Sequence, residues 1–325
     1  MMELPTIDDV EEAARRIAPA IRRTPLLRAD ALDEAVGGRV FVKAECLQRF
    51  GAFKIRGAYN KIASLAPEVR ARGVLAFSSG NHAIAVAAAA RDFGVRAVIV
   101  MPADAPAVKR ETTAALGGAV VLYDRITEDR EAIGQRLADD GGLTIVRPFD
   151  DPFIIAGQGT IGLEIAEDMA REGAAIDSVL VNCSGGGLGS GIATALAARA
   201  PAARVTLVEP AGHDDFARSL AEGRRVQNAP GVRSICDALL SDAPGAIPFE
   251  IARARGLNAV AIEDGEALAA MAFAFRHLKI VLEPSGAAAL GAALARRVDL
   301  RGSTSVLIAS GGNVDTAMFQ RALAA

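Results

Sequence analysis

The stretch VLAFSSGNHAIAVAAAARDFGVRAVIVM, residues 74–101, contains the pattern that decides the fold. Two short apolar runs, at residues 74–77 and 97–101, are separated by an alanine-rich segment at residues 82–92. Short apolar runs of this kind are typical of buried strands, and the segment between them is long enough for a helix. The stretch therefore predicts a strand–helix–strand unit, in which the two strands lie parallel in one sheet.

The same alternation extends outward in both directions and predicts an α/β protein. Apolar runs that predict strands lie at residues 39–43, 119–123, 143–146, 178–181, 205–208, 259–262 and 306–309. Helices fit residues 107–116, 128–138, 154–171, 266–275, 286–296 and 315–324, and one more begins at Gly189. A chain of 325 residues is long enough for two open parallel-sheet domains. Because no flexible linker is visible, we expect these domains to pack closely around a cleft.

Composition excludes several classes of function. The formal net charge of −3 argues against a general electrostatic attraction to nucleic acid. No apolar run reaches the roughly 18 residues of a membrane span, and the acidic, amphipathic start is unlike a signal peptide. Three widely spaced cysteines favour a reducing compartment over a disulfide framework. The sequence thus predicts a cytoplasmic protein without nucleic-acid or membrane partners.

The segment ECLQRFGAFKIRGA, residues 45–58, places Lys54 beside Phe53 and among small residues, at a turn between a strand and a helix. Desolvation in such a turn lowers the pKa of a lysine and makes its amine usable for a Schiff base. A surface lysine at the start of a helix explains the same segment equally well.

A glycine-rich loop, CSGGGLGSG at residues 183–191, follows a predicted strand and precedes a helix. Glycines allow backbone N–H groups to converge on an anion, and a helix N-terminus adds a partial positive charge. The loop lacks the Gly-Lys-Ser/Thr ending of nucleoside-triphosphate loops and the spacing of dinucleotide loops. It predicts a phosphate cradle, with a plain glycine-rich connector as the alternative.

Two polar loops also follow predicted strands. The loop SSGNH, residues 78–82, offers hydroxyl and N–H groups to a carboxylate, and SGGNVD, residues 310–315, offers the Ser310 hydroxyl to a heteroaromatic nitrogen. Either loop can instead be only a helix cap. Together with Lys54 and the glycine loop, they suggest a ligand that has a phosphate, an aldehyde and a ring nitrogen. Pyridoxal 5′-phosphate combines these three groups.

On these motifs, the sequence resembles the fold-type-II pyridoxal-phosphate enzymes, in particular the threonine dehydratase and serine racemase group. The resemblance runs nearly from end to end, through RTPL (23–26), the Lys54 segment, residues 77–82, AGQGTIGLE (156–164), the glycine loop, Glu209-Pro210, LEPSG (282–286) and residues 310–315. It implies a tryptophan synthase β-like fold with the cofactor in the cleft. Residues 1–66 and 150–325 would form a large cofactor-binding domain, and residues 67–149 a small substrate-gating domain.

The resemblance also implies which residues hold the cofactor. Lys54 would form the Schiff base and act as base and acid on one face, with Phe53 behind the ring. Asn81 would bind the 3′-oxygen, and Ser310 would bind the pyridine nitrogen. The phosphate would be held by Ser184, Gly185, Gly186, Gly187 and Leu188, and Glu283 would complete the cofactor site.

For the substrate, the resemblance implies α-carboxylate contacts at Ser78, Ser79, Asn81 and His82, with Ser79 as a second catalytic residue. Arg130 and Ser241 match substrate contacts of the racemases, although Arg130 equally fits a solvated helix face. Glu209, Asp215 and the carbonyl of His213 match a divalent-metal position of the racemases. These oxygen ligands suit Mg²⁺, Ca²⁺ or Mn²⁺, and a solvated acidic loop is the alternative.

The chain departs from the family pattern near the site. Phe50-Gly51-Ala52 stands where the family usually has Thr-Gly-Ser, Ile84 replaces a glutamine, and Asn182-Cys183 replaces a proline and a glycine. These changes predict a less polar site, with room for a larger or aromatic β-hydroxy amino acid. Cys183 is expected to pack rather than react.

The sequence therefore predicts a pyridoxal-phosphate-dependent dehydratase that releases ammonia and a keto acid from a β-hydroxy amino acid of the serine, threonine, 3-hydroxyaspartate or phenylserine type. A serine or aspartate racemase with side elimination is the alternative, because Ser79 can act as a base opposite Lys54. A non-enzymatic sensor is a third possibility, which intact Lys54, Asn81 and Ser310 disfavour. The resemblance implies a homodimer, and no regulatory domain follows the last helix, so we expect a catabolic enzyme.

Overall fold

The computed structural model describes residues 3–78, 80–124 and 126–325. Ser79, a predicted catalytic residue, lies outside the described residues. The described strands are β1 (Leu26–Leu27), β2 (Arg39–Lys43), β3 (Val74–Phe77), β4 (Ala97–Pro102), β5 (Gly118–Tyr123), β6 (Thr144–Ile145), β7 (Ser178–Asn182), β8 (Arg204–Pro210), β9 (Asn258–Ile262) and β10 (Thr304–Ile308).

These strands form two sheets. Six strands make one sheet in the order β1-β2-β10-β7-β8-β9, and four make the other in the order β5-β4-β3-β6. Every pairing is parallel except β1 with β2, which is antiparallel at the sheet edge. The two-sheet parallel α/β fold is therefore confirmed. The assignment of residues 1–66 with 150–325 and of residues 67–149 to separate domains stays a prediction.

Helices cover both sheets. They are α1 (Ile7–Ile17), α2 (Asp30–Val36), α3 (Ile55–Ser64), α4 (Pro67–Ala71), α5 (Asn81–Asp92), α6 (Ala107–Ala115), α7 (Arg130–Gly141), α8 (Pro152–Arg171), α9 (Gly187–Arg199), α10 (Asp215–Glu222), α11 (Ala246–Ala254), α12 (Asp264–Phe273), α13 (Pro284–Leu294) and α14 (Thr316–Ala324). None of the helices in the described part of the chain has the length and apolarity that a membrane crossing requires.

Local sequence explains where several of these helices begin. The Asp151 carboxylate accepts hydrogen bonds from the backbone N–H groups of Phe153 and Ile154, and Pro152 occupies the first turn of α8. Thr6 and Asp9 form a capping box at α1. Both features satisfy N–H groups that a helix start otherwise leaves without an acceptor.

The long helix α8 packs closely on α9 because glycines face each other. A Cβ on Gly191 would lie 2.3 Å from the Ile155 carbonyl oxygen, and one on Gly162 would lie 2.8 Å from the Cβ of Ala195. No side chain fits at either position without a backbone shift. This close contact fixes α9, and with it the glycine loop at its N-terminus.

Most of the sequence-predicted elements are confirmed, and the differences have physical causes. Residues 143–146 pair over only Thr144–Ile145, because β6 is a short edge strand beside β3. The helix expected from Gly189 begins at Gly187, since glycines hide the helical periodicity of the loop. Helices α2, α4, α10 and α11 were not predicted from the sequence, because each is short, with five to nine residues.

A buried ion cluster connects α3, α8 and β2. The Arg56 guanidinium is fully buried and lies 2.8 Å from Glu45 and 2.7 Å from Glu164. Lys43 Nζ, also fully buried, donates to Glu164 at 2.6 Å. Burial alone would raise the pKa of Glu164, but Arg56 and Lys43 outweigh it and hold that pKa below its ordinary value.

We expect Arg56→Met to cost about 3–5 kcal/mol of unfolding free energy at pH 7, because it leaves two buried carboxylates without their shared cation. Arg253→Met, at an exposed pair with Glu250, should cost no more than about 1 kcal/mol. Urea unfolding measures both changes. Equal losses of unfolding free energy in the two variants would show that the buried ion cluster stabilises the fold no more than an exposed ion pair does.

The difference in unfolding free energy between Arg56→Met and the parent should also depend on pH. Because folding lowers the pKa of Glu164, the stabilisation is present above the unfolded pKa of about 4.3 and is lost as pH falls through the folded value. The cost of the substitution should therefore shrink on acidification below about pH 4. A cost that is constant from pH 7 to pH 3 would show that charge pairing does not cause it.

Candidate active site

A cavity of about 380 Å³ lies between the two sheets, at the carboxyl ends of their parallel strands. Loops that follow β3, β7 and β10 line it, together with the segment after β2. This is the edge at which open α/β sheets bind ligands. The predicted site residues that line the cavity are Phe53, Lys54, Ser78, Asn81, His82, Arg130, Ser184, Gly185, Gly186, Gly187, Leu188, Ser241, Glu283 and Ser310.

The turn that carries Lys54 is held against the loop after β10. Phe50 and Gly51 have positive φ angles of 62° and 75°, which turn the chain sharply after residues 45–47. The Phe53 N–H donates to the Ser310 carbonyl at 3.2 Å. A Cβ on Gly51 would lie only 2.4 Å from Asn313 Oδ1, so the close approach of the two loops requires glycine.

Lys54 has the properties expected of a reactive amine. Its Nζ donates to the Pro148 carbonyl at 2.9 Å and lies 5.2 Å from the centre of the Phe53 ring. Burial lowers its pKa from the ordinary value to about 8. The neutral, nucleophilic form is therefore well populated slightly above neutral pH.

The glycine loop presents backbone donors to the cavity. In the described residues, the N–H groups from Ser184 to Leu188 donate no hydrogen bond to a protein acceptor, because they precede or start α9. A Cβ on Gly185 would lie 2.3 Å from the Phe149 ring, and one on Gly186, with φ +92°, would lie 2.4 Å from the Phe216 ring. Unpaired donors at a helix N-terminus form an anion site.

The Ser310 hydroxyl is oriented by a residue that sequence analysis left without a role. The Asn182 side-chain amide donates to Ser310 Oγ at 2.8 Å and accepts from the Ala289 N–H at 2.6 Å. Because Ser310 Oγ already accepts a hydrogen bond, its own proton is available to a ligand acceptor in the cavity. Asn182 therefore fixes the donor that was expected to meet a ring nitrogen.

Asn81, at the start of α5, belongs to a buried polar cluster. Its side-chain N–H donates to Glu283 Oε1, and its Oδ1 accepts from Asn313 at 2.8 Å. Lys109 Nζ lies 3.1 Å from Glu283 Oε2 and 2.7 Å from Asp237. These bonds fix the Asn81 amide and leave its second N–H for a ligand.

The N-terminus of α5 presents a second group of free N–H donors next to the cavity. Within the described residues, the N–H groups of Asn81 and His82 have no protein acceptor, and Ser78 lines the cavity beside them. His82 Nε2 donates to the Val146 carbonyl at 2.9 Å, while its Nδ1 is buried without a partner in the described structure. Burial and the nearby Lys54 lower the pKa of His82 to about 3, so the imidazole is neutral.

Arg130 and Ser241 lie at different parts of the cavity. Arg130, the first residue of α7, is exposed at the rim and lies 4.0 Å from Asp242. The Ser241 hydroxyl is 2.6 Å from that of Ser184, so this serine lies against the glycine loop. Their proposed contacts with substrate stay predictions.

The three predicted metal residues lie near the end of β8 and the start of α10. Glu209 accepts from the N–H groups of Phe216 and Ala217, and Asp215 Oδ1 accepts from Asn228 at 2.6 Å. Asp215 Oδ2 is buried without a partner in the described structure. Burial raises the pKa of both carboxyls, that of Asp215 to about 6, and Asp215 adds to the rise at Glu209.

The residues described in the structure contain no set of three or more His, Cys, Asp or Glu side chains arranged around a common metal position. The His213 ring is engaged elsewhere, since its Nε2 donates to the Val232 carbonyl at 3.2 Å. The predicted metal site at Glu209, His213 and Asp215 therefore stays a prediction.

The expectation that Phe50, Ala52 and Ile84 make the site less polar is wrong. Among the described residues, the cavity lining includes none of these three. Phe50 instead packs against Arg49 and Arg91, and Ile84 is buried on α5 in the hydrophobic core. Phe50 and Ala52 are close to Lys54 along the chain, but neither they nor Ile84 line the cavity.

Several lining residues escaped sequence analysis, including Phe149, Gln158, Arg147 and Asn182. Lys109 also escaped it, since its pairing with Glu283 spans two distant segments. The motif AGQGT contained a signal for Gln158, but the roles of the others depend on tertiary contacts between distant segments. Cys183 is buried, as its predicted packing role requires, and burial raises its pKa well above the ordinary value.

Free N–H groups at a helix start and a desolvated amine in one cavity are features expected of a site for a phosphorylated carbonyl compound. The model of a family described as pyridoxal-phosphate dependent enzyme matches residues 17–311. The chain belongs to this family. It also resembles fold-type-II members, since the structure of maize serine racemase superimposes with a TM-score of 0.92, at 38% identity, and covers 99% of this chain and 98% of that one.

Two curated relatives have similar coverage. The L-threo-3-hydroxyaspartate ammonia-lyase of Saccharomyces cerevisiae is 39% identical over 97% of this chain and 95% of its own length. The L-threonine ammonia-lyase of Thermotoga maritima is 39% identical over 97% of this chain and 77% of its own length. The residues of the cavity fit the family's cofactor, because the unpaired N–H groups of the glycine loop match a phosphate and Lys54 matches an aldehyde.

We expect Gly186→Ala to weaken cofactor binding at least tenfold, because its Cβ would collide with the Phe216 ring and displace the loop. Gly173→Ala is the matched control, since Gly173 also has positive φ but nothing lies within 4 Å of its Cβ. Both variants should lose about 1–2 kcal/mol from backbone strain. Dialysis followed by visible absorbance measures cofactor retention, and equal retention by both variants would contradict the role of the loop.

Proposed function

We propose that the protein is a pyridoxal-phosphate-dependent ammonia-lyase that converts a β-hydroxy amino acid into a keto acid and ammonia. The observation that carries this proposal is the single cavity in which the Lys54 amine, the free N–H groups of the glycine loop and the Ser310 hydroxyl come together. The names of the relatives, two of which are ammonia-lyases, support the same activity.

Pyridoxal phosphate, when bound, would withdraw electrons from the substrate Cα and so acidify its proton. The glycine loop would hold the phosphate, Lys54 the aldehyde carbon, Asn81 the 3′-oxygen and Ser310 the ring nitrogen. Ser310 is neutral and donates through a hydroxyl, so it does not stabilise a protonated ring as a carboxylate would. A weaker electron sink favours departure of a β-substituent over prolonged carbanion chemistry.

The protein's own groups can position and deprotonate the substrate. The N–H groups at the start of α5, with Ser78, would hold the α-carboxylate next to the neutral His82. Lys54, whose pKa is about 8, can accept the α-proton and later return it. The proton held by Lys54 would leave with the β-hydroxyl as water, and addition of water to the eliminated amino acid would release ammonia and the keto acid.

Racemisation is the second candidate function, because the serine racemases of Oryza sativa and maize are each 38% identical to this chain. A racemase needs a base on each face of Cα, whereas elimination needs one base and a leaving group. Ser79 is the candidate for the second base and lies outside the described residues. We expect ammonia release to exceed racemisation.

We expect Lys54→Ala to lose the visible absorbance of the bound cofactor and to lower keto acid release about 100- to 10,000-fold, because the amine that holds the cofactor and moves the proton is gone. Lys279→Asn is the control, since Lys279 is exposed with φ 58°, a conformation that asparagine tolerates. Borohydride reduction and peptide mapping should place the cofactor on Lys54.

The substrates for this assay are the stereoisomers of serine, threonine, 3-hydroxyaspartate and phenylserine. Chiral chromatography of the unreacted amino acid is run beside the keto acid assay. Conversion mainly to the opposite enantiomer, with little keto acid, would assign the protein as a racemase. Cofactor attachment at another lysine would refute the proposed site.

We also propose a divalent cation, Mg²⁺, Ca²⁺ or Mn²⁺, bound by Glu209 and Asp215 with the His213 carbonyl. The support is the buried Asp215 Oδ2, which has no partner in the described structure, beside a second buried carboxylate. Two carboxylates in a shared site repel each other, and a cation relieves this repulsion. Phe216 follows Asp215 and packs on Gly186, so a cation there would stabilise the glycine loop.

A cation at one hundred times its Kd should stabilise the parent by about 2.7 kcal/mol and raise its Tm by several degrees. Asp215→Asn should lose this response, whereas Asp214→Asn, which removes the same charge one residue away at a pair with Arg218, should keep it. Thermal unfolding with each cation and with chelator measures the effect. A response that both variants retain would show that the loop is only an acidic surface.

A homodimer and a cytoplasmic location stay predictions. Light scattering of the purified holoenzyme tests the first. An amino acid is the small-molecule partner that the family and the cavity support.

A further inference from the structure

Arg147 lines the cavity, and within the described residues its guanidinium has no hydrogen bond or ion pair. The residues on either side are tied to the reactive end of the cavity. The Val146 carbonyl accepts from His82 Nε2 at 2.9 Å, and the Pro148 carbonyl accepts from Lys54 Nζ at 2.9 Å. Arg147 is therefore held between the predicted α-carboxylate site and the amine.

The buried and half-buried acidic side chains that line the cavity already have partners. Glu283 and Asp237 both pair with Lys109. The two oxygens of Asp150 accept from the first N–H groups of α11. None of these carboxylates needs Arg147 as a partner, so the charge of Arg147 is available to a ligand.

The other two arginines of the lining have different surroundings. Arg130 already faces Asp242 at 4.0 Å. Arg225 donates to the Pro244 carbonyl at 2.8 Å, and the following Gly245 N–H donates to Gly185, so Arg225 lies at the phosphate end. Arg147 alone combines a position beside Lys54 with a guanidinium that has no partner in the described part of the chain.

We propose that Arg147 binds a second carboxylate, on the side chain of the substrate, and so selects dicarboxylic β-hydroxy amino acids such as 3-hydroxyaspartate. This inference rests on the proposed ammonia-lyase function. A guanidinium matches a carboxylate with two parallel N–H donors, and this charged, bidentate geometry discriminates well. The α-carboxylate is assigned to the α5 N-terminus, so the two negative groups of the substrate have separate sites.

The location of Arg147 also predicts how strong the selection is. Arg147 is exposed, so a substrate with an uncharged side chain leaves its guanidinium in contact with water. Binding of such a substrate does not bury an unpaired charge, so serine should still be converted. A bound phosphate makes the cavity more negative, so a dicarboxylate needs the added cation more than serine does.

The test compares kcat/KM for 3-hydroxyaspartate and for serine in the holoenzyme. Arg147→Met should lower the value for 3-hydroxyaspartate about 10- to 100-fold and leave that for serine within about twofold, because only the dicarboxylate loses charged hydrogen bonds. Arg147→Lys should fall between parent and Arg147→Met. Arg96→Met, an exposed arginine outside the cavity lining, controls for the change in net charge.

A second measurement does not need elimination. Aspartate and alanine have no β-hydroxyl, and their binding is followed through the visible absorbance of the holoenzyme. The parent should bind aspartate more tightly than alanine, and Arg147→Met should remove most of this preference. If the parent releases no keto acid from any substrate, the proposed function fails, and this measurement still decides the role of Arg147.

Equal losses for serine and 3-hydroxyaspartate in Arg147→Met would overturn the inference, because they would show a general structural role. Loss of the aspartate preference in Arg130→Met but not in Arg147→Met would also overturn it, and would assign the second carboxylate to Arg130.

Discussion

Two aromatic rings lie so close to the glycine loop that a side chain does not fit at residues 185–187 without a shift. Phe149 lies against Gly185 and Gly187, and Phe216 lies against Gly186. The loop therefore exposes backbone N–H groups, and the start of α9 strengthens their attraction for an anion. Every other part of the site is arranged relative to this fixed point.

Phe149 also joins the two ends of the cavity. It follows Pro148, whose carbonyl accepts from Lys54, and precedes Asp150, which caps α11. A shift of the loop at the phosphate end would therefore be transmitted to the amine end through two residues. The backbone of residues 148–150 therefore sets the distance between the glycine loop and Lys54, which a bound cofactor would have to span.

The pKa of Lys54 is lowered by burial because, among the described residues, no carboxylate pairs with its amine. The buried lysines Lys43 and Lys109 each face carboxylates, which favour the charged form. Among the described residues, Lys54 pairs with no carboxylate and bonds only to a carbonyl. Burial therefore lowers the pKa of Lys54, whereas the carboxylates beside Lys43 and Lys109 favour the charged form of those lysines.

The amino-acid sequence by itself determined the α/β class and the strand-end loops that line the cavity. Both follow from local rules, because apolar runs, glycine-rich turns and strand-end polar residues act through their immediate neighbours. The role of Lys54 came from the family resemblance, because its segment alone fits a surface lysine equally well. The short strand β6 and several short helices were poorly predicted, since tertiary packing rather than local pattern holds them in place.

Only the tertiary structure decided the electrostatics of the site. Phe50 lies four residues from Lys54 in sequence, yet it turns away from the cavity, whereas Arg147 is distant in sequence and lies beside the amine. The pairing of Lys109 with Glu283 and the bond from Asn182 to Ser310 likewise join segments more than one hundred residues apart. Such contacts depend on how the two sheets pack against each other. The spacing of two residues in the sequence does not give the distance between them in the folded protein.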